Sequence, residues 1–208
     1  MTKLRFLGHA RTLSFTVGLV AASCISVMAQ AQAAPSSRVD LAVTYAAAHA
    51  VHTGSSSTFW LQGGAVELHA QIFRGLGVTA SGTGLHVASN NPLVAPLDLV
   101  TITFGPRYTL FPDRRVSVFG EALVGEADGF HSLFAYGSGP VASPANGTTT
   151  SANSLAVQAG GGIDLRLTRR FAIRVLQADY LRTQLPNGGT NLQNNLRLGA
   201  GIDIRIQR

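Results

Sequence analysis

Residues 155–167 read LAVQAGGGIDLRL, and residues 195–206 read NLRLGAGIDIRI. In both segments apolar residues and polar residues or small glycines alternate at every second position. A period of two over twelve or more residues predicts a β-strand with one apolar and one polar face. Most strands of globular proteins have only about 5–6 residues. Strands of roughly twice that length are typical of tilted strands that cross a bilayer.

Further segments show the same alternation less regularly, and they comprise residues 38–46, 60–73, 76–83, 99–110, 116–125 and 171–182. In the last of these, Arg174 and Asp179 fall on opposite faces unless a β-bulge intervenes. Together with the two quoted segments, they predict an all-β chain of eight strands.

The connections between these strands alternate between short and long. The short ones are residues 74–75, 111–115 and 168–170. The long ones are rich in Gly, Ser, Asn, Thr and Pro, and they comprise residues 48–58, 84–98, 129–153 and 183–193. This order places the short turns and both termini at one end of a barrel and the long loops at the other. Bacterial outer-membrane barrels have this organisation, with the long loops outside the cell. We therefore expect an eight-stranded antiparallel up-and-down transmembrane β-barrel.

The first 33 residues have the order of a secretory signal peptide. Basic residues at positions 3, 5 and 11 precede an apolar stretch at 13–27, and overlapping A-x-A sites follow at 29–33. We expect cleavage after Ala31 or Ala33, so that residues 34–208 form the barrel domain. The alternative is an N-terminal membrane anchor, but no stop-transfer pattern follows the apolar stretch.

Removal of this segment changes the charge and the cysteine content. The formal net charge falls from +6 to +3, because the segment holds three of the sixteen basic residues and none of the ten acidic ones. This small charge argues against a nucleic-acid partner. Cys24 is the only cysteine, so the remaining chain has neither disulfides nor cysteine-bound zinc. A lipoprotein signal around Cys24 is disfavoured by Ala21, where leucine is expected.

The polar faces of the predicted strands carry acids and arginines in nearly equal number. Membrane barrels direct such faces into the lumen, whereas small soluble barrels direct them outward. Glycines interrupt these faces, which makes room for large side chains in a narrow lumen. Charges removed from water need partners, and the planar fork of arginine can hold two carboxylates. We predict a structural ion-pair network in the lumen, formed by Arg38, Asp40, Glu67, His69, Arg107, Glu121, Asp164, Arg166, Arg174, Asp179, Arg197, Asp203 and Arg205.

Several stretches of the chain resemble the eight-stranded outer-membrane β-barrel proteins, the group that includes the transmembrane domain of outer-membrane protein A and the opacity-type proteins. They are the two quoted segments and residues 104–108 (FGPRY), 119–125 (FGEALVG) and 174–183 (RVLQADYLRT). The resemblance covers nearly all of residues 38–208 and rests on spacing and on glycine–aromatic texture. It implies the fold, an outer-membrane location, membrane lipid as partner and handling by the barrel-assembly machinery. One departure is the last residue, Arg208, where such chains usually end in an aromatic residue.

Candidate catalytic and metal-binding residues are few. His49 and His52 lie in the predicted first loop without a nearby carboxylate, so we interpret them as polar loop residues. Glu67 and His69 share one face and could form an acid–base pair, but a lumen network with Arg107 is the favoured interpretation. We expect no metal and no cofactor.

Some barrels of the resembled group are lipid A deacylases that use His, Ser and an acid, which makes His131 and Ser132 candidates. Adjacent residues of a strand point to opposite faces, and the nearest acids, Glu126 and Asp128, precede the pair. Residues 160–162 (GGG) lack the lysine and the following helix of a phosphate-binding loop. We therefore expect no catalytic site.

The expected function is non-enzymatic, with a structural or surface-interaction role of a monomer acting through its four long loops. Aromatic residues near strand ends are expected to form an interfacial girdle: Tyr45, Trp60, Phe73, Phe104, Tyr108, Phe111, Phe171 and Tyr180. A small porin is an alternative that needs a continuous wet path. A lipid-modifying enzyme is another. A soluble periplasmic barrel with an apolar ligand predicts that Ile202, Ile204 and Ile206 point inward.

Overall fold

The computed structural model describes residues 38–52, 59–87, 97–135, 148–187 and 191–206. Eight strands follow one another along the chain: β1 (Val39–His52), β2 (Trp60–Phe73), β3 (Leu76–Val87), β4 (Asp98–Leu110), β5 (Val116–Ala135), β6 (Thr148–Arg166), β7 (Phe171–Thr183) and β8 (Gln193–Ile206). Each strand pairs antiparallel with the next, and β8 pairs with β1. The expected all-β, eight-stranded up-and-down barrel is therefore confirmed. Closure leaves the sheet without an open edge.

The predicted signal peptide and its cleavage sites lie outside the described residues, as do the central parts of the predicted long loops and the last two residues. Within the described ranges, no helix is long and apolar enough to cross a membrane.

Apolar side chains project from the outside of the barrel. Ile202, Ile204 and Ile206 are 54%, 36% and 50% exposed, so they point outward. This orientation contradicts the alternative of a soluble barrel with an apolar interior row. All residues of the expected aromatic girdle are exposed as well: Tyr45, Trp60, Phe73, Phe104, Tyr108, Phe111, Phe171 and Tyr180. An apolar exterior of this kind matches the lipid-facing band of a membrane barrel.

The short turns are built by local backbone chemistry. Arg74 and Gly75 both have positive φ, at 39° and 90°, as in the tight turn that joins two twisted antiparallel strands. In the β6–β7 turn, the hydroxyl oxygen of Thr168 accepts hydrogen bonds from the backbone N–H groups of Arg170 and Phe171, at 3.2 and 3.0 Å. The short turns, the start of β1 and the end of β8 lie at one end of the barrel, here called the turn end. The opposite end is called the loop end.

The strands at the loop end extend farther than the sequence pattern predicted. β1 continues to His52 and β5 to Ala135. His49 and His52 therefore lie in a strand, so the expectation that both lie in a loop was wrong. The ring centroid of His49 is 4.7 Å from that of Trp60. The end of β1 is composed largely of alanine, and in β5 a register shift between Phe130 and Phe134 interrupts the pattern, so neither end shows a clear alternation. Pairing continues there because neighbouring strands on both sides supply the backbone hydrogen bonds.

A bulge in β7 resolves the parity of its two charged residues. The register of β7 against β8 shifts between Arg174 and Gln177, and Val175 and Leu176 both point outward. This extra residue brings Arg174 and Asp179 onto the same inward face, where both are buried.

Candidate functional site

The interior of the barrel contains two layers of different chemistry. The charged layer, from the turn end to the middle, comprises Glu67, Arg107, Glu121, Asp164, Arg174, Asp179, Arg197 and Asp203. The apolar plug, at the loop end, comprises Ala46, Ala48, Ala50, Leu61, Leu85, Val87, Leu99, Ala127, Phe134, Ala156, Leu181 and Leu185. Every member of both layers is at most 7% exposed. The described lumen is therefore occupied by side chains along both halves.

Glu67 on β2 lies at the centre of the charged layer. Its Oε2 accepts a hydrogen bond from Nη1 of Arg174 and is 3.7 Å from Nη1 of Arg107. Its Oε1 is 3.3 Å from Nη2 of Arg197 and accepts a hydrogen bond of 2.7 Å from Gln177. One buried carboxylate is thus surrounded by three guanidinium groups from β4, β7 and β8.

Arg174 connects this centre to the turn end. Its Nε donates to Oδ1 of Asp164 at 3.0 Å, and its Nη2 is 3.6 Å from Oδ2 of Asp203. Nη2 of Arg107 donates to the same Asp164 at 3.3 Å. The guanidinium groups of both arginines lie over the ring of Phe119, with Cζ 3.5 Å (Arg107) and 4.5 Å (Arg174) from its centroid. The ring contributes cation–π attraction to both guanidinium groups.

Arg197 connects the centre toward the loop end. Its Nε and Nη2 donate to Oδ2 of Asp179 at 2.9 and 2.6 Å, and its Nη1 donates to the Thr83 hydroxyl at 2.5 Å. Glu121 has no arginine within ion-pair distance in the described chain. Its Oε1 instead accepts hydrogen bonds from the amides of Gln158 and Gln177, at 3.4 and 3.2 Å.

The structure places the remaining predicted lumen residues outside this cluster. His69 hydrogen-bonds to Thr79 at 3.1 Å and not to Glu67. Arg38 donates to the carbonyl oxygen of Pro112 at 2.9 Å, and Arg166 donates to that of Asp113 at 2.8 Å, so both hold the β4–β5 turn. Asp40 and Arg205 are direct neighbours on β1 and β8, but no ion pair within 4.0 Å joins them in the described chain.

Sequence reasoning did not identify Phe119, Gln177 or the apolar plug. The signal was present in the parity of the strands, because Phe119 alternates in phase with Glu121. Likewise Leu61 is in phase with Glu67, so it had to point inward. Phe119 and Leu61 are apolar, so the sequence analysis did not assign them to the lumen, although their positions in the strands already placed them on the inward face.

Phe134 closes the plug at the barrel mouth. The register of β5 shifts between Phe130 and Phe134, and His131 has a positive φ of 57°. A Cβ at Gly129 would lie only 2.5 Å from Cζ of the Phe134 ring. The bulge and this glycine together allow the ring to pack beside Leu185 and complete the plug.

The outer surface of the loop end carries a histidine–carboxylate cluster. Nδ1 of His86 is 2.5 Å from Oδ1 of Asp98, and Nδ1 of His131 is 2.6 Å from Oδ2. These two bonds, that from His86 being the stronger influence, hold the pKa of Asp98 below its usual value. The acid beside His131 is thus Asp98 on β4, and neither Glu126 nor Asp128. His131 makes no hydrogen bond to Ser132, and no metal-binding group of three or more His, Cys, Asp or Glu occurs among the described residues.

A cleft of about 350 Å³ lies beside this cluster, at the base of the β5–β6 hairpin. Its lining combines an aromatic ring, a carboxylate, an amide and a hydroxyl: Asp128, Phe130, Ser151, Ala152, Asn153 and Pro186. Cross-strand pairing sets Asp128 opposite Asn153 and Phe130 opposite Ser151, so these four share one face of the hairpin. Nearby, Glu126 accepts a hydrogen bond of 3.0 Å from Asn153.

Known proteins share this architecture. The attachment invasion locus protein of Yersinia pestis, Ail, aligns with a TM-score of 0.51 and 15% identity over 82% of this chain and 99% of that one. Neisserial surface protein A aligns with a TM-score of 0.54 and 14% identity over 80% of this chain and 95% of that one. At these identities the similarity establishes the fold alone. A search of curated proteins found no match.

The sequence itself supplies the family. Residues 17–203 match the family described as outer membrane protein beta-barrel domain, which spans most of the chain. The outward apolar band, the closed sheet and the buried polar lumen are the features that this fold requires in a bilayer. The chain belongs to the outer membrane protein beta-barrel family, and its location is the outer membrane.

Proposed function

We propose that this protein is a non-enzymatic outer-membrane barrel with a sealed lumen, which acts through the surface of its loop end. The observation that carries this proposal is the apolar plug. Twelve apolar or alanine side chains, each at most 5% exposed, fill the lumen where a channel would open. An ion entering such a layer would exchange much of its hydration for contact with apolar side chains.

The charged layer supports the same conclusion against a porin. Arg174 is fully buried and is held by Glu67 and Asp164 from two other strands. Its displacement would remove one cation from each of these buried carboxylates and the only ion pair of Asp203 in the described chain, at a cost of several kcal/mol. The guanidinium group of Arg174 is therefore fixed across the lumen and does not form a mobile lining of a pore.

The loop end offers the exposed chemistry that the lumen lacks. β5 and β6 have 20 and 19 residues, whereas the other strands have 12 to 14. The longer pair projects beyond the barrel, and its base holds the cleft beside Phe130. An aromatic ring that is flanked by carboxylate, amide and hydroxyl groups suits a polar ligand with one apolar face, such as a saccharide. The hydrogen bond between Nδ1 of His131 and the carboxylate of Asp98, which no serine joins among the described residues, favours binding over acyl transfer.

Planar-bilayer recordings test the seal. The wild-type barrel should pass no steady current, whereas the double variant Leu61→Ala, Leu99→Ala should conduct because the plug loses two side chains. Leu196→Ala, on the outer face of β8, is the matched control and should stay closed. A steady wild-type current would contradict the sealed lumen.

An array of neutral saccharides tests the surface role. Purified wild-type barrel in detergent micelles should bind a subset of the array. Phe130→Ala should lose that binding, while Val100→Ala, which alters the neighbouring outer face, should retain it. Absence of wild-type binding, or equal binding by Phe130→Ala, would contradict a role of the cleft.

A further inference from the structure

The turn end carries a ring of unpaired positive charge, here called the arginine collar. It consists of exposed arginines in three turns: Arg74, Arg114, Arg115, Arg169 and Arg170. The only acid in these turns is Asp113. The outward surface at the loop end is the opposite, because it carries Asp98, Glu126 and Asp128 against a single described arginine, Arg182. The two ends of the described barrel therefore differ in the sign of their charge.

The single acid does not neutralise the collar. Oδ1 of Asp113 is 3.7 Å from Nη1 of Arg38, and the backbone oxygen of Asp113 accepts a hydrogen bond from Arg166. Arg38 and Arg166 are thereby engaged in holding the turn and are not counted in the collar. In the described chain, no collar arginine lies within 4.0 Å of a carboxylate. Five cations without an ion-pair partner on one rim attract anions from outside the protein.

The aromatic neighbours of the collar indicate its position relative to the membrane surface. Cζ of Arg74 is 5.2 Å from the ring centroid of Phe73, and Cζ of Arg114 is 5.4 Å from that of Phe111. Both rings point outward and are exposed. Exposed aromatic rings at strand ends mark the interface between hydrocarbon and headgroups. Guanidinium groups that stack on these rings therefore lie at the level of the lipid headgroups.

We propose that the arginine collar binds anionic phospholipid headgroups and prefers them to zwitterionic ones. The planar guanidinium donates two parallel hydrogen bonds to a phosphate, and clustered arginines beside a membrane attract anionic lipid. A zwitterionic headgroup offers the same phosphate but adds a cation that the collar repels. This inference is independent of what the loop end binds and of whether the lumen conducts.

Native mass spectrometry of the folded barrel tests the collar. The protein is released from micelles that contain equimolar dioleoyl-phosphatidylglycerol and dioleoyl-phosphatidylcholine. The wild type should retain phosphatidylglycerol at least about tenfold over phosphatidylcholine at low ionic strength, with a smaller ratio at high salt. The variant with Arg114, Arg115, Arg169 and Arg170 all replaced by Gln should show about equal retention. Arg182→Gln, an exposed arginine near the loop end, is the matched control and should keep the wild-type ratio.

Several outcomes would overturn the proposal. One is a wild-type barrel that retains the two lipids equally. Another is a quadruple variant whose ratio of retained phosphatidylglycerol to phosphatidylcholine equals that of the wild type. If that variant does not fold, Arg169→Gln with Arg170→Gln must still lower the ratio. Displacement of the lipid by millimolar inorganic phosphate would identify free phosphate as the ligand instead. Collar-dependent pelleting with purified cell-wall polymer, without lipid preference, would identify a different partner.

Discussion

The charged layer and the apolar plug fill the same lumen, yet they are stabilised in different ways. In the charged layer Glu67, Arg174 and Asp164 depend on one another through directed bonds, and each has a charge that water no longer solvates. In the plug, Leu61 and Leu99 depend on volume and shape alone. Loss of one partner in the first layer leaves an unpaired charge, whereas loss of one side chain in the second leaves a cavity. The comparison predicts different penalties for substitutions of similar size.

Replacement of Arg174 should have the largest effect on stability. Arg174→Met removes one cation from the buried carboxylates of Glu67 and Asp164 and leaves buried Asp203 without an ion pair in the described chain, which should lower the free energy of unfolding by about 3–5 kcal/mol. Urea unfolding in detergent micelles, followed by the fluorescence of the single tryptophan, Trp60, measures the change. Glu67→Gln added to Arg174→Met should recover part of the loss, and Arg182→Met should be close to neutral. A loss below about 1 kcal/mol would show that the charged layer tolerates an unpaired carboxylate.

A cavity in the plug should have the next largest effect. Leu61→Ala should cost about 2–5 kcal/mol, because the buried side chain is lost and the surrounding residues close the space only in part. The same urea titration reports it. Leu196→Ala on the outer face should cost clearly less, since detergent or lipid chains fill the space and no cavity forms. Equal losses at the two positions would argue that the plug is loosely packed.

Overfilling the boundary of the charged layer should have an intermediate effect. A Cβ at Gly160 would lie 2.6 Å from Cα of Asp179 and would overlap the carbonyl oxygen of Ala178. Gly160→Ala should therefore cost about 1–3 kcal/mol and disturb the pair between Asp179 and Arg197. Gly82→Ala is the matched control, because no atom lies within 4 Å of its Cβ position. A neutral Gly160→Ala would mean that β6 and β7 can separate without loss of stability.

The smallest effect is expected at the loop-end cluster, outside both layers. The pKa of Asp98 is lowered by the bonds from His86 and His131, so the stabilisation is present above the ordinary carboxyl pKa. It is lost as the pH falls through the lowered pKa of the folded state. Asp98→Asn should therefore reduce stability slightly at pH 6, and the difference from wild type should vanish at strongly acidic pH. A difference that grows on acidification would contradict this assignment.

Agreement between sequence and structure is best where strands alternate regularly. Residues 60–73 and the eighth strand, which contains Ile202, were placed with the correct faces and nearly correct ends. The predicted loop ends of β1 and β5 were wrong, because the alanines of β1 carry no alternation and a register shift interrupts it in β5, while the barrel still supplies pairing partners. The sequence also indicated that Arg174 and Asp179 fall on opposite faces unless a bulge intervenes. Only the pairing of the strands shows that the bulge exists and where it lies.

The sequence by itself determined the fold class and the outward face of the regularly alternating strands, because the period of two is a local property of the chain. The tertiary structure alone decided which charges meet. Glu67 and Arg174 are 107 residues apart, and Asp98 and His131 are 33 residues apart. It also decided that the lumen divides into a charged layer and an apolar plug. Closure of the sheet sets both, since side chains of distant strands face each other only when β8 pairs with β1.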